Sequence, residues 1–410
     1  MPETPPPGAE SLDPVPAPRV LLAGGGTAGH VNPLLATAAA LRDPALGGRE
    51  ETGILVLGTA EGLEADLVPE AGFDMAVVPR VPMPRRPTGD LFMLPRRLSR
   101  AVGAAAEAIE AVGAQVVVGF GGYVSTPAYL AARRAGVPVV IHEQNARPGL
   151  ANRLGASWAA AVALTFASTP LRSSKGRTEV TGLPLRPAIG ELVARLAEPD
   201  GAAAARRSGA AALGLDPRAP TVLITGGSLG AQRLNEVLAA ALPSLSPDLQ
   251  VLHLTGRDKD GPVRAAVEAA VADGADPGLA ERYHVLDYLV AMEQAYACAD
   301  GVICRSGAGT VAELTALGLP ALYVPLPIGN GEQRLNAADV VAAGGGRLVA
   351  DARLTAADVV DFTALLTRPA ERGAMAAAAA STGVRDGARR LADLIRTVAR
   401  EGCPSPRRKA

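Results

Sequence analysis

The chain has 410 residues, 48% of them apolar, and a formal charge of -1, so it can fill two cores of roughly 150 to 200 residues each and exerts no global attraction on nucleic acid. Cys298, Cys304 and Cys403 form no CxxC pair, a pattern that reads as reduced thiols and excludes a disulfide framework or a sulfur-ligated metal. No apolar stretch approaches the ~20 residues of a membrane span.

Residues 1–18, with Pro5, Pro6, Pro7, Pro14, Pro16 and Pro18, are expected to be a disordered lead. They lack a charged head followed by an apolar segment, so a cytoplasmic chain is expected. From Arg19, the runs VLLAG, GILVLG, AVVP, QVVVGF, VPVVIHE and AVALTF alternate with alanine-rich helical stretches, the rhythm of an α/β fold with a parallel sheet. The first run opens into GGGTAGH, where Gly24, Gly26 and Gly29 have the GxGxxG spacing. A dinucleotide site wants an acid after the second strand, and that strand ends in Gly58 and Thr59. A tight turn accounts for the glycines but not for His30, which a helix start would keep neutral and fit to act as a general base.

In residues 80–100, Arg80, Arg85, Arg86, Arg96, Arg97 and Arg100 flank Leu91, Phe92, Met93 and Leu94. This segment is either a tip for an anionic membrane surface or a proline-broken connection whose apolar residues fold inward. The loop GFGGYVSTP offers glycine amides beside Ser125 and Thr126, and VVIHEQN ends a buried strand in polar residues. Strand carboxyl ends are where such sheets bind ligands, so Glu143 and Asn145 are site candidates, while His142 reads as packing. A hinge is expected at residues 182–190, followed by an alanine/glycine tract that reads as a variable surface insertion.

A second series, TVLITGG, LQVLHLTG, YHVLDYL, GVICRSG and PALYVPLP, repeats the pattern. Two Rossmann-like domains facing each other across a cleft are therefore expected. GGSLGAQ has nucleophile-elbow spacing around Ser228, but no suitable acid and histidine follow; phosphate binding at a helix start fits better. Asp258 and Asp260 read as turn residues, and no convincing metal site is present. CRSGAGTVAE places Arg305, Ser306, Gly307 and Gly309 before a helix, as a diphosphate cradle would. Glu313 has capping-box spacing from Thr310 or, alternatively, would accept hydrogen bonds from a ribose diol. Glu332, Gln333 and Asn336 follow the last strand and suit sugar hydroxyls.

The ordered motifs GGTAGH, GGYVSTP, HEQN, TGLPLR, GGSLGAQ, CRSGAGTVAE and GEQRLNA resemble the MurG family of GT-B glycosyltransferases, from Arg19 to about residue 400. The resemblance implies an acceptor domain at 19–185, a UDP-sugar domain at 186–375, a helical segment at 376–401 packing back on the first domain, and a tail at 402–410. It implies inverting transfer of N-acetylglucosamine from UDP-N-acetylglucosamine to the muramyl O4 of lipid I, giving lipid II in peptidoglycan synthesis, with no cofactor required. The enzyme would work as a peripheral protein on the cytoplasmic face of the cell membrane, through Arg85, Arg86, Leu91, Phe92, Met93, Leu94, Arg96 and Arg97. His30 would be the base, with Glu143 and Asn145 at the reaction centre. Gly25, Gly26, Thr27, Gly121, Gly122 and Tyr123 would face the acceptor. The donor would meet Thr27, Gly29, Asn145, Arg186, Ser228, Leu289, Arg305, Ser306, Gly307, Ala308, Gly309, Thr310, Glu313, Glu332, Gln333 and Asn336. Ala28, Thr126 and Glu332 depart from residues common in the family, and Glu332 lacks the donor hydrogens of an amide. Another GT-B transferase or a UDP-sugar epimerase is the alternative.

Overall fold

The computed structural model describes residues 17–81, 90–227, 232–274 and 276–402, with backbone alone for 90–92. Seven parallel strands form the first sheet: β1 (Arg19–Ala23), β2 (Gly53–Gly58), β3 (Asp74–Val77), β4 (Val116–Gly119), β5 (Val139–Glu143), β6 (Ala161–Leu164) and β7 (Arg177–Val180). Six more form the second: β8 (Thr221–Thr225), β9 (Gln250–Leu254), β10 (Tyr283–Leu286), β11 (Gly301–Cys304), β12 (Ala321–Tyr323) and β13 (Gly346–Leu348). The strand orders are β3-β2-β1-β4-β5-β6-β7 and β10-β9-β8-β11-β12-β13. In each sheet the order reverses beside the first strand, between β1 and β4 and between β8 and β11. Loops leaving the carboxyl ends of these pairs diverge and open a crevice. The glycines of GGGTAGH, GGYVSTP and CRSGAGT lie on such loops.

The central strands are apolar on both faces because helices cover both. In the first domain one face is covered by α1 (Ala28–Arg42), whose Leu34, Ala38 and Leu41 join Val20, Leu22, Val116 and Val118 in one core. After α2 (Glu64–Glu70), the other face carries α3 (Asp90–Val112) and α4 (Ser125–Ala135), with Val102, Ile109 and Tyr129 packed on Leu21 and Val117. The short α5 (Leu150–Gly155) follows β5. The last helix, Gly387–Glu401, buries Leu391, Leu394, Ile395 and Val398 in the same core as α1. The preceding helix, Pro369–Ser381, packs Ala379 into the second domain, so the return to the first domain falls after Ser381 rather than at 376.

The alanine tract is a correction to the expected surface insertion. It forms the helix Gly201–Leu213, with Ala205 and Ala210 in the second core. A Cβ at Gly209 would lie 2.6 Å from the Gln294 carbonyl oxygen; small residues here let two helices meet, where larger ones would hold them apart.

His142 and His253 are fully buried. Burial holds them neutral, at about 4 and about 3 against an ordinary 6.5, with His142 Nε2 3.1 Å from the Gly182 carbonyl oxygen and His253 between Tyr283 and Asn235. An unfolded chain would protonate both below pH 6.5, so their stabilising effect is complete above that pH and is lost as pH falls toward 4. Urea unfolding at stepped pH should show the midpoint falling between pH 6.5 and 4, with His142 alone contributing on the order of 3 kcal/mol.

Candidate active site

The first loop turns from β1 into α1 through Gly26 at φ +85°. Thr27 precedes the helix in extended backbone without capping it through its side chain. Its Oγ1 lies instead 2.9 Å from Nδ1 of His30, the third residue of the helix. The imidazole is half-buried. Burial lowers its pKa from the ordinary value, overcoming the raising effects of a Gly25 backbone hydrogen bond and the Glu64 charge. The ring is therefore neutral at pH 7 and able to take a proton. In the tautomer whose Nδ1–H donates to Thr27, the lone pair is on Nε2.

That nitrogen faces the second loop: a Cβ at Gly121 would come 3.1 Å from Nε2, and one at Gly122 would come 2.6 Å from the Gly25 carbonyl oxygen. Both glycines have positive φ, +96° and +79°, so L side chains are excluded by backbone as well as by space. Buried Ser125 accepts from the Gly121 N–H at 2.9 Å, with its hydroxyl 3.1 Å from the Ala23 carbonyl oxygen, tying the ends of β1 and β4. Tyr123 is exposed, with the Arg80 guanidinium 6.0 Å from its ring centre.

Glu143 ends β5 and is buried, accepting from the N–H groups of Asn145 (3.0 Å) and Gly149 (2.9 Å) and from Asn152 Nδ2 (3.0 Å). Burial raises its pKa while these donors oppose the rise. Its carboxylate thus organises its own turn. Asn152, on α5, went unnoticed in the sequence: it also accepts from the Tyr129 hydroxyl at 2.7 Å and borders Gly121. The available signal was a polar residue nine positions after Glu143 in a short apolar helix.

In the second domain, Arg186 makes a two-pronged contact with Glu313, Nε to Oε1 at 2.8 Å and Nη2 to Oε2 at 3.1 Å, and Tyr296 donates to Oε2 at 3.1 Å. The helix Ala308–Leu317 has Gly307 as N-cap and no side-chain cap, so Glu313 does not form the capping box its spacing allowed; it reaches across to Arg186 instead. Ser306 is fully buried, its hydroxyl without a hydrogen-bond partner among the described residues. Gly307, Ala308, Gly309 and Thr310 form the partly exposed helix start beside it. Arg305 is turned inward, ion-paired with Asp351 and donating to the Val324 carbonyl, so its guanidinium buttresses this loop from behind. Leu289 packs on the second core, and at its neighbour Tyr288 the Arg257 guanidinium stacks 4.0 Å from the ring centre. Gln333 Oε1 accepts from Leu326 N–H at 2.9 Å, and Glu332 accepts from Asn330 N–H at 3.1 Å. Ser228 lies outside the described residues.

Asn336 joins the domains. Buried, it accepts from Ala146 N–H at 2.9 Å and donates toward Asn145 Oδ1 and the Ser306 carbonyl, both at 3.3 Å. Arg147 donates to the Asn330 carbonyl, and Ser168 N–H to Asp339 at 3.3 Å. Expected at a sugar, Asn336 here spends its carboxamide on the seam. Of the arginine-rich segment, Arg85 and Arg86 lie outside the described residues, as do the side chains of Leu91 and Phe92. Met93, Arg96 and Arg100 are exposed on α3, with Leu94 and Arg97 intermediate. Among the described residues no helix is long and apolar enough to cross a membrane.

The glycosyltransferase family 28 N-terminal domain matches residues 20–164, and the family 28 C-terminal domain matches residues 221–391. Two parallel-sheet domains meeting at their carboxyl edges thus form a glycosyltransferase of two facing halves. The chain is 52% identical over 346 residues, 82% of this chain and 86% of the relative, to the UDP-N-acetylglucosamine--N-acetylmuramyl-(pentapeptide) pyrophosphoryl-undecaprenol N-acetylglucosamine transferase of Bifidobacterium longum (strain DJO10A). It is 50% identical over 392 residues, 95% of this chain and 99% of the relative, to the protein of that name from Clavibacter michiganensis. The crystal structure of Acinetobacter baumannii MurG is similar with a TM-score of 0.72 and 27% identity, over 93% of this chain and 99% of that one. The chain belongs to the MurG family.

A methyl group at Gly121 would press on the His30 ring. Gly121→Ala is expected to lower glycosyl transfer roughly 10- to 100-fold while UDP binding to the other domain, measured by calorimetry, stays unchanged.

Proposed function

We propose that this transferase moves N-acetylglucosamine from UDP-N-acetylglucosamine to the muramyl O4 of lipid I, releasing UDP and lipid II with inversion at the anomeric carbon. The observation that carries the reading is His30: a neutral imidazole held where the two acceptor-side loops touch, in the same crevice as an uncapped helix start. The donor diphosphate rests on the Gly307 to Thr310 amides, next to the buried Ser306. Helix-start N–H groups favour negative charge, and they favour it more as the bond to UDP breaks and charge builds on the leaving oxygen. Arg186 stands beside them, and its partner Glu313 is the carboxylate suited to the ribose diol. The positive groups are all supplied by the chain, so the scheme uses no metal or other cofactor.

The acceptor hydroxyl gives its proton to His30 as its oxygen attacks the anomeric carbon from the face opposite UDP. The new C–O bond forms, the bond to the β-phosphate oxygen breaks, and that electron pair leaves with UDP. The exposed Met93 and the arginines of α3 set the first domain against the anionic cytoplasmic face of the membrane, where a lipid-linked acceptor resides.

His30→Ala should lower turnover roughly 100- to 10,000-fold with donor affinity unchanged in a labelled-sugar transfer assay; near-normal turnover would remove His30 from the role of base. A base must be unprotonated, and burial extends the neutral form of His30 below its ordinary 6.5. Acceptor-dependent kcat/KM should therefore be level through neutrality and fall only as pH drops below about 6.5. UDP-N-acetylglucosamine alone should remain unconverted, where an epimerase would turn it over, and a chelator should leave the transfer rate intact.

A further inference from the structure

Beneath the first glycine loop lies a carboxylate that the scheme above does not use. Glu64 opens α2 and is fully buried. It accepts three hydrogen bonds: from Gly26 N–H at 2.9 Å, Thr59 N–H at 3.0 Å and Thr59 Oγ1 at 2.7 Å. Glycines from three segments make room for it. A Cβ at Gly25 would lie 2.4 Å from Oε1, one at Gly62 2.1 Å from Oε2, and one at Gly58 2.7 Å from Cγ. Burial alone would push its pKa up, but the Gly26 and Thr59 donors outweigh it and hold the carboxyl below its usual range, so it is ionised at neutral pH.

A buried charge costs far more than a neutral acceptor of the same shape, so anchoring a turn does not by itself call for one. What lies above the charge is the His30 loop. The Gly25 backbone that encloses Glu64 on one side hydrogen-bonds the imidazole on the other. Thr27 and Gly121, which also border the ring, are neutral, as is Asn152 on the far side of Gly121. Glu143 and Tyr129 reach the region through Asn152. When His30 takes the acceptor proton, it becomes a cation in a half-buried site, and Glu64 is the nearby anion that acts on it. The same geometry divides the loop: the Gly26 N–H is committed to Glu64 and is not offered to an acceptor phosphate.

We propose that Glu64 is the positioning residue of the catalytic base: its carboxylate pins the Gly25–Gly26 turn against His30 and supplies the charge that balances the imidazolium. This rests on His30 being the base. Without the anion the imidazole is less basic, so Glu64→Gln should move the acidic limb of acceptor kcat/KM to lower pH by roughly half a unit. Turnover should fall roughly 10- to 100-fold, with donor KM and UDP binding within about two-fold. Thr59→Val keeps the charge and loses one donor, so it should slow turnover less and leave the limb in place. If Glu64→Gln does not fold, Glu64→Asp carries the test, because withdrawing the charge by one methylene should move the limb the same way by less. A limb unmoved in the folded Gln or Asp variant, whatever its turnover, overturns the proposal. His30→Ala in the same series keeps the two readings apart: if it retains both turnover and limb, the base assignment falls, and if it abolishes the limb while Glu64→Gln leaves it, only the role of Glu64 falls.

Discussion

The carboxamide of Asn336 is the contact on which the arrangement of the crevice depends. It reaches the Ala146 amide and Asn145 side chain in one domain and the Ser306 carbonyl in its own. A single neutral side chain thus holds the turn after β5 against the loop after β11. A net hydrogen bond contributes about 1 kcal/mol, but a buried one left half-made costs more than that. The seam therefore favours being wholly closed or wholly open over intermediate positions. An amide suits this place because it donates and accepts at once; a carboxylate would leave the Asn145 and Ser306 oxygens facing a third oxygen.

Within each half the same economy governs the buried carboxylates. Glu64, Glu143 and Glu313 are each surrounded by donors, and for Glu64 and Glu143 these include backbone N–H groups of a turn. Glu64 fixes the start of α1, Glu143 the approach to α5, and Glu313 the Arg186 junction between domains. The glycines are the complement of this design. Gly25, Gly58 and Gly62 leave space for a carboxylate, while Gly121 and Gly122 take backbone angles that let one loop lie on the other. Glycine loops of this chain are as much about admitting the protein's own side chains as about admitting a ligand.

The sequence made the central strands readable because covered parallel strands are continuous apolar runs. β7, reading RTEV, and the three-residue β13 are edge strands with little to bury, and nothing in their residues distinguishes them from loops. Among the site residues, loop and strand-end positions were legible, since topology alone carries them to the crevice. The direction of each polar side chain was not. Asn145 and Asn336 are 191 positions apart and Arg186 and Glu313 are 127 apart, so the choice between ligand and seam is made by partners that no local pattern contains. Glu64 was hidden for the opposite reason: an acidic residue at the start of a short helix has an ordinary local explanation in the helix dipole, and only the three enclosing glycines mark it as buried.

Arg305 shows why residue type alone misleads at a phosphate site. A guanidinium beside glycines and a serine invites assignment to the diphosphate, yet here it is enclosed, paired with Asp351 and bound to the backbone after β12. Such a pair is nearly neutral in sum, so it adds rigidity to the loop without adding a strong field to it. In the proposed reaction, charge on the departing UDP is met instead by the backbone N–H groups of the uncapped helix start at Gly307 to Thr310. Dipoles fixed by the helix need no reorganisation as the charge develops, whereas a mobile arginine would have to be ordered during the reaction. Burying Arg305 is then consistent with the rest of the crevice: the groups that meet the leaving charge are held by the fold, and the group that could have moved is used to hold them.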